Sequence, residues 1–158
     1  MAVCTVAEPF TKEQVLAHVP QQPPFRFIDE ILEVDAEHIV ATHTFVADAD
    51  FYRGHFPGNP ITPGVLLTEA AAQASVVALG IYLVSLETGG RDALEKLLTI
   101  FTDADVEFSG SVRPGQRVTT TGRKRFFRRR KLRSDFETRL DDGTLVVSGT
   151  LAGMGVPR

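Results

Sequence analysis

The sequence predicts an α+β fold in which a curved antiparallel sheet wraps around one long central helix. Three observations carry this expectation. From Gly64 to Leu86 the chain has no proline, one internal glycine (Gly80) and many Ala and Leu residues, which is the composition of a long helix. Its apolar side chains, among them Leu66, Leu67, Val76, Leu79, Ile81 and Val84, lie on every side of the helix, not on one stripe, so the helix must be enclosed. The rest of the chain offers about six segments of strand character to enclose it. A bilayer is the other enclosure, and it needs roughly 20 uncharged residues. Ala70 to Leu86 supplies 17, interrupted by Gln73 and Ser75 and without a basic flank, so no membrane span is expected.

Taken in order, Thr11-Lys12-Glu13-Gln14 has the form of a capping box and opens a short helix through about Val19, with Val15, Leu16 and Val19 as its buried face. Pro20, Pro23 and Pro24 then force an extended segment. Phe25 to Val34 reads as a strand of imperfect alternation. Asp35-Ala36-Glu37-His38 is a turn, and Ile39 to Val46 returns as the second strand. After the long helix, Thr88-Gly89-Gly90 is a glycine cap, and Arg91 to Leu98 reads as a short surface helical turn. Strands follow at Phe101–Phe108 and Gln116–Phe126, separated by the turn Val112-Arg113-Pro114-Gly115. The clearest strand is Lys131 to Leu140, where Leu132, Ser134, Phe136, Thr138 and Leu140 alternate with charged residues. Asp141-Asp142-Gly143 turns the chain into a last strand, Thr144 to Met154.

No repeat, linker or low-complexity tract divides the 158 residues, so residues 1–158 are expected to form one domain around one core. A single cysteine, Cys4, excludes an internal disulfide framework and a cysteine metal cluster. Met1 to Phe10 lacks the basic and apolar regions of a signal peptide, and a cytoplasmic location is the expectation. The net charge of −3 is unevenly spread: residues 111–158 carry 12 basic and 4 acidic side chains, and residues 1–110 carry 5 and 16. Such asymmetry bears on partners more than on fold.

The candidate chemistry sits at the start of the long helix. Gly54-His55-Phe56-Pro57-Gly58-Asn59-Pro60-Ile61-Thr62-Pro63-Gly64 holds three prolines and three glycines in eleven residues, an irregular but stiff loop. His55 lies in it, and Glu69 is the only charged side chain between Gly64 and Leu86. These two are a candidate acid–base pair. A loop histidine alone is more often a solvated or capping residue, and a lone helix glutamate can mark a polar subunit contact, although burying it unpaired is costly. His18, His38 and His43 have no comparable context and are expected to be structural or surface residues. No His/Cys/Asp/Glu group has metal-ligand spacing, and no glycine-rich nucleotide loop follows a strand, so neither metal nor cofactor is expected.

The run from Gly54 to Gln73, Gly-His-Phe-Pro-Gly-x-Pro-x-x-Pro-Gly-Val-Leu-x-x-Glu-Ala-x-x-Gln, resembles the signature of the FabZ-type 3-hydroxyacyl-[acyl-carrier-protein] dehydratases. Val19 to Asp29 resembles the family's opening segment, and Phe108 with Val112-Arg113-Pro114-Gly115 its later strand and turn, so the likeness spans most of the chain. It implies the hotdog fold, which agrees with the enclosed helix. It also implies conversion of 3-hydroxyacyl groups on an acyl carrier protein to trans-2-enoyl groups without a cofactor, in fatty-acid or related polyene or polyketide biosynthesis. A neutral imidazole, with an ordinary pKa of about 6.5, can remove the proton beside a thioester carbonyl. A carboxyl in an apolar slot is pushed toward its protonated form and can assist a departing hydroxyl. The resemblance assigns these roles to His55 and Glu69. Glu, in place of the Asp of the isomerising branch, implies dehydration without double-bond migration.

By the same match the Gly64 N–H at the helix start is the donor to the developing oxyanion, with Val65 and Phe56 as neighbouring substrate-binding residues. Gln73, four residues after Glu69 on the same helix face, has an orienting role. The family builds each site from two subunits, which implies a homodimer. Gln21 stands where the family usually carries His, and Glu107, Ser109 and Gly110 stand where it tends to keep basic residues. The depth of an acyl tunnel would be set by side chains such as Phe101, Ile81 or Leu97.

Eight of the eleven residues from Arg123 to Arg133 are basic. The bland reading is a solvated hairpin end. Nucleic-acid binding is a second reading. Docking of an acidic acyl carrier protein and its phosphopantetheine arm through Arg128, Arg129 and Arg130 is the third, and the dehydratase resemblance favours it. Competing functions are a hotdog thioesterase and a non-catalytic acyl-carrier or lipid-binding module.

Overall fold

A computed structural model describes residues 8–88 and 94–158. Helix α1 (Lys12–His18) opens with the expected capping box: the Gln14 N–H donates to Thr11 Oγ1 and the Thr11 N–H to Gln14 Oε1. Strands β1 (Glu30–Val34) and β2 (His38–Thr44) form a hairpin. The central helix runs without a break through α2 (Gly64–Ala72), a π-helical segment (Gln73–Ala78) and α3 (Leu79–Thr88). Four long strands follow: β3 (Leu97–Phe108), β4 (Arg117–Arg128), β5 (Lys131–Leu140) and β6 (Leu145–Pro157).

The strands form one antiparallel sheet in the order β1-β2-β4-β5-β6-β3. Two apolar clusters fill the space between sheet and helix. One gathers Leu67, Ala71, Phe45, Val118, Phe136 and Val147 around α2, and the other gathers Val15, Ile39, Leu79, Ile81 and Leu132 around α3. The 25-residue helix is long and apolar enough to cross a membrane, but it is mostly buried. This is the hotdog architecture that the sequence predicts.

The helix seats most closely on the sheet at its π-helical segment. Ser134 Oγ on β5 donates to the Ser75 carbonyl at 2.8 Å, and Ser75 Oγ donates back to the Ala71 carbonyl. A Cβ on Gly122 of β4 would stand 2.5 Å from Ser75 Cβ and 2.9 Å from its Cα. Backbone cannot yield there, so Gly122→Ala is expected to cost about 1–3 kcal/mol through overpacking, read as a lower Tm. Gly80→Ala is the control: its Cβ would meet nothing closer than Leu132 at 3.8 Å, and removing a helix-interior glycine should hold or raise the Tm.

Several boundaries differ from the sequence reading. Phe25 to Asp29 is not strand; β1 begins at Glu30, and in the proline-flanked stretch before it the Gln73 side chain holds Phe25 and Phe27 while the Asp29 N–H reaches β2 at the Thr42 carbonyl. Leu97 and Leu98 do not belong to a helical turn. They begin β3, paired with Pro157 and Val156 of β6, so cross-strand pairing overrides their local helical bias. Cys4, the Gly89-Gly90 cap and Arg91 to Ala93 lie outside the described residues.

β3 is an edge of the sheet and is 12 residues long. It leaves Leu98, Ile100, Phe101 and Phe108 exposed, an apolar margin of the kind that single chains rarely leave uncovered.

Candidate active site

A single 3₁₀ turn, Asp50–Arg53, delivers the chain into the proline-rich loop. The loop is tied by its own backbone: Phe56 and Asn59 exchange N–H···O bonds, the Ile61 N–H donates to the His55 carbonyl, and the Thr62 N–H reaches the Val112 carbonyl at 2.8 Å. Beneath it, buried Tyr52 and Thr62 share a hydroxyl bond of 2.6 Å. Burial pushes the Tyr52 phenol above its ordinary pKa, with the Thr62 bond opposing.

This frame fixes His55. Its Nδ1 lies 2.8 Å from the Ile61 carbonyl, and a carbonyl can only accept, so Nδ1 carries the proton. In the neutral ring Nε2 is then the lone-pair nitrogen, as a general base requires. Phe56 stacks on the imidazole, centroids 4.1 Å apart.

The helix begins next. The Pro63 carbonyl accepts from Leu66 and Leu67, and the Gly64 and Val65 N–H groups precede any intrahelical acceptor. A Cβ on Gly64 would stand 3.0 Å from the Phe108 ring, so glycine is the residue that lets β3 close over the helix start. Val65 is 75% exposed beside it.

Glu69 is one turn further on. Gln73, fully buried, holds it: Gln73 Nε2 donates to Glu69 Oε1 at 2.9 Å and to the Phe25 carbonyl at 2.9 Å, and Gln73 Oε1 accepts from the Phe27 N–H at 2.7 Å. The amide thus anchors the carboxylate to the extended segment that the sequence misreads as strand. Glu69 opens into a slot lined by Gln21, Ala72, Val76, Ile100, Phe101 and Gly153. Val76, Thr99 and Gly153 also line a second cavity, which continues along α3 past Gly80, Ile81 and Val84 to Leu97, Phe127 and Arg130. Ile81, Leu97 and Phe101 therefore do face this space. Gln21 is the site residue that sequence reasoning missed: it is legible as a departure from a motif, but nothing local shows that it lines the slot.

Within one chain His55 and Glu69 are not brought together. Among the described residues no hydrogen bond joins them, and His55 does not line the Glu69 slot.

The basic run occupies the β4–β5 hairpin. Lys124 pairs with Glu37, Arg125 with Asp135, and Lys131 and Arg133 with Asp103. Arg123, Arg128, Arg129 and Arg130 have no ion pair among the described residues. Arg129 and Arg130 form the two-residue turn with φ of 51° and 62°, positions where Asn or Gly sits with less strain. Arg130 lines the second cavity, packed against Gly155 of β6.

The other histidines have structural partners. His43 is buried against Phe27 and Phe45 and bonds Asp29 at 2.9 Å, and His18 Nδ1 donates to the Gln14 carbonyl. His38 is raised in pKa first by its bond to Glu33 and further by Asp35.

The FabA-like domain family matches residues 19–148. Among characterised proteins, the 3-hydroxyacyl-[acyl-carrier-protein] dehydratase FabZ of Streptococcus pyogenes is 34% identical over 139 residues, covering 87% of this chain and 93% of its own. Among solved structures, the dehydratase heterocomplex ApeI:P of Xenorhabdus doucetiae superposes with a TM-score of 0.72 at 17% identity, covering 91% of each chain. A thioesterase of Haemophilus influenzae superposes with a TM-score of 0.65 at 16% identity, covering 96% of this chain and 94% of its own. At such identities the two structures speak for the shared hotdog fold alone. The family match and the 34% identity go further, and they fall on the segment that carries His55, Gly64, Glu69 and Gln73: the chain belongs to the FabA-like family, among the FabZ-type dehydratases.

Proposed function

We propose that the protein dehydrates 3-hydroxyacyl groups carried on an acyl carrier protein, giving the trans-2-enoyl thioester. The observation that carries this is the pairing of two prepared groups in one motif. In the neutral ring of His55 the Ile61 bond makes Nε2 the lone-pair nitrogen, and Glu69 is oriented by a fully buried amide at the mouth of a largely apolar slot. His55 Nε2 removes a proton from C2 while the Gly64 N–H meets the negative charge growing on the thioester oxygen. The C2–C3 double bond forms as the C3–O bond breaks. The leaving oxygen takes the proton of the Glu69 carboxyl and departs as water, and exchange with solvent restores both groups. Phe56 and Val65, both exposed beside these atoms, contact the thioester arm, and the acyl tail lies along Val76, Ile81 and Leu97.

The working unit in this reading is a homodimer. The apolar edge of β3 gives two copies a surface to share, and the separation of His55 from Glu69 within one chain is met if each site takes His55 from one protomer and Glu69 from its partner. Arg128, Arg129 and Arg130, free of ion pairs among the described residues, offer positive charge to an acidic carrier protein and the phosphate of its phosphopantetheine arm. Residues 1–158 act as one catalytic domain without metal, cofactor, nucleic acid or membrane span, in the cytoplasm.

The test is turnover by the wild-type protein of 3-hydroxyacyl carrier-protein substrates of graded length. The expected product is the trans-2-enoyl thioester, formed faster from carrier-bound than from small-thiol substrates. Release of free acid would instead mean a thioesterase, and binding without turnover would mean a non-catalytic module.

A further inference from the structure

We propose that Gln21 is the residue that recognises the hydroxyl group being expelled, an inference that rests on the dehydratase reading. Among the described residues, Gln21 Oε1 is the one buried side-chain polar atom without a hydrogen-bond partner. Gln21 is one of the residues that line the slot into which Glu69 opens, and its Oε1 lies covered just behind that wall. An acceptor left unpaired in such a place is costly, and native structures rarely keep one unless a ligand or water completes it.

The perch of this side chain is rigid. Arg26 Nε donates to the Gln21 carbonyl at 3.2 Å, and its Nη2 donates to the carbonyls of Leu16 and Val19. Gln22 Nε2 adds a bond to the Val19 carbonyl. Gln73 pins the same segment at Phe25 and Phe27 while holding Glu69. One fully buried amide thus fixes both the carboxyl and the extended segment that carries Gln21, so the two residues line the slot from a common frame.

The chemistry of the occupant follows from what each group lacks. Gln21 Oε1 needs a donor, and a protonated Glu69 carboxyl needs an acceptor. One hydroxyl on a carbon satisfies both at once: its hydrogen goes to Gln21 Oε1 and its oxygen accepts from Glu69. As the C3–O bond breaks, that oxygen takes the Glu69 proton and becomes water while still bonded to Gln21. The enoyl product has no oxygen at C3, and a saturated acyl chain has none either, so both leave Oε1 unpaired. Gln21 therefore selects the 3-hydroxyacyl stage of the chain and fixes the face of C3 from which the hydroxyl leaves.

The experiment measures binding on a His55→Ala background, which keeps the hydroxyacyl ligand intact. Affinities of 3-hydroxyacyl and saturated acyl carrier proteins of equal length are compared with and without Gln21→Met, a substitution of similar volume that cannot accept. The expected result is a preference of about 10- to 100-fold for the hydroxyacyl ligand that Gln21→Met abolishes, with saturated-acyl affinity held within about twofold. Gln21→Asn, which keeps the amide but withdraws it by one methylene, should lose the preference as well and serves if the Met variant folds poorly. The same preference in all variants, or equal weakening of both ligands, would overturn the role. In the otherwise unsubstituted protein, normal turnover by Gln21→Met would sink this proposal alone, whereas a wild type that never dehydrates the substrate would sink the reading beneath it.

Discussion

His55→Ala is expected to lower kcat on a 3-hydroxyacyl carrier-protein substrate by about 10²- to 10⁴-fold, the range that a positioned general base supplies. The fold should survive the change. The side chain gives up one bond, to the Ile61 carbonyl, and a stack on the half-exposed Phe56. The loop keeps its own backbone ties from Phe56 to Asn59 and from Thr62 to Val112. KM and Tm should therefore stay near the wild-type values while turnover collapses, which is the signature of an interaction made in the transition state. Retention of more than a tenth of the activity would place the base elsewhere.

Glu69→Gln should have an effect of the same order, about 10²- to 10⁴-fold in kcat. The amide matches the carboxyl in size and can still accept from Gln73 Nε2, so what is lost is the proton for the departing hydroxyl. This pair of variants also tests where the site is assembled. If each site draws on two protomers, unfolding and refolding an equal mixture of the two dead proteins makes half the dimers hybrid. Each hybrid then has one site with both native groups, and roughly a quarter of wild-type activity should return. No recovery, with hybrid dimers shown to form, would put His55 and Glu69 of one chain in one site.

Much of this was legible before any coordinates. The central helix announced itself because its apolar residues leave no solvent face, and the proline- and glycine-rich loop because few backbones satisfy so many such residues. β5 alternates cleanly, so its limits, Lys131 and Leu140, could be read directly. The failures share a cause. Phe25 to Asp29 has strand-like residues, but Gln73, 46 residues from Phe27, takes up the backbone groups that a neighbouring strand would otherwise bond. Leu97 and Leu98 join β3 because β6 is long enough to pair with them. The π-helical segment meets the sheet at Ser134 and Gly122, contacts that no local pattern in the helix reveals. In the sequence Gln21 is only an unusual residue in a motif; that its oxygen is buried and unpaired is a property of the folded chain.

The central helix divides its labour along its length. Glu69 and Gln73 lie before and at the start of the π-helical segment, whereas Gly80, Ile81 and Val84 flank the far cavity beyond it. In the dehydratase reading, exchanging side chains on α3 would therefore change the length of tail accepted and leave Glu69 and Gln73 undisturbed.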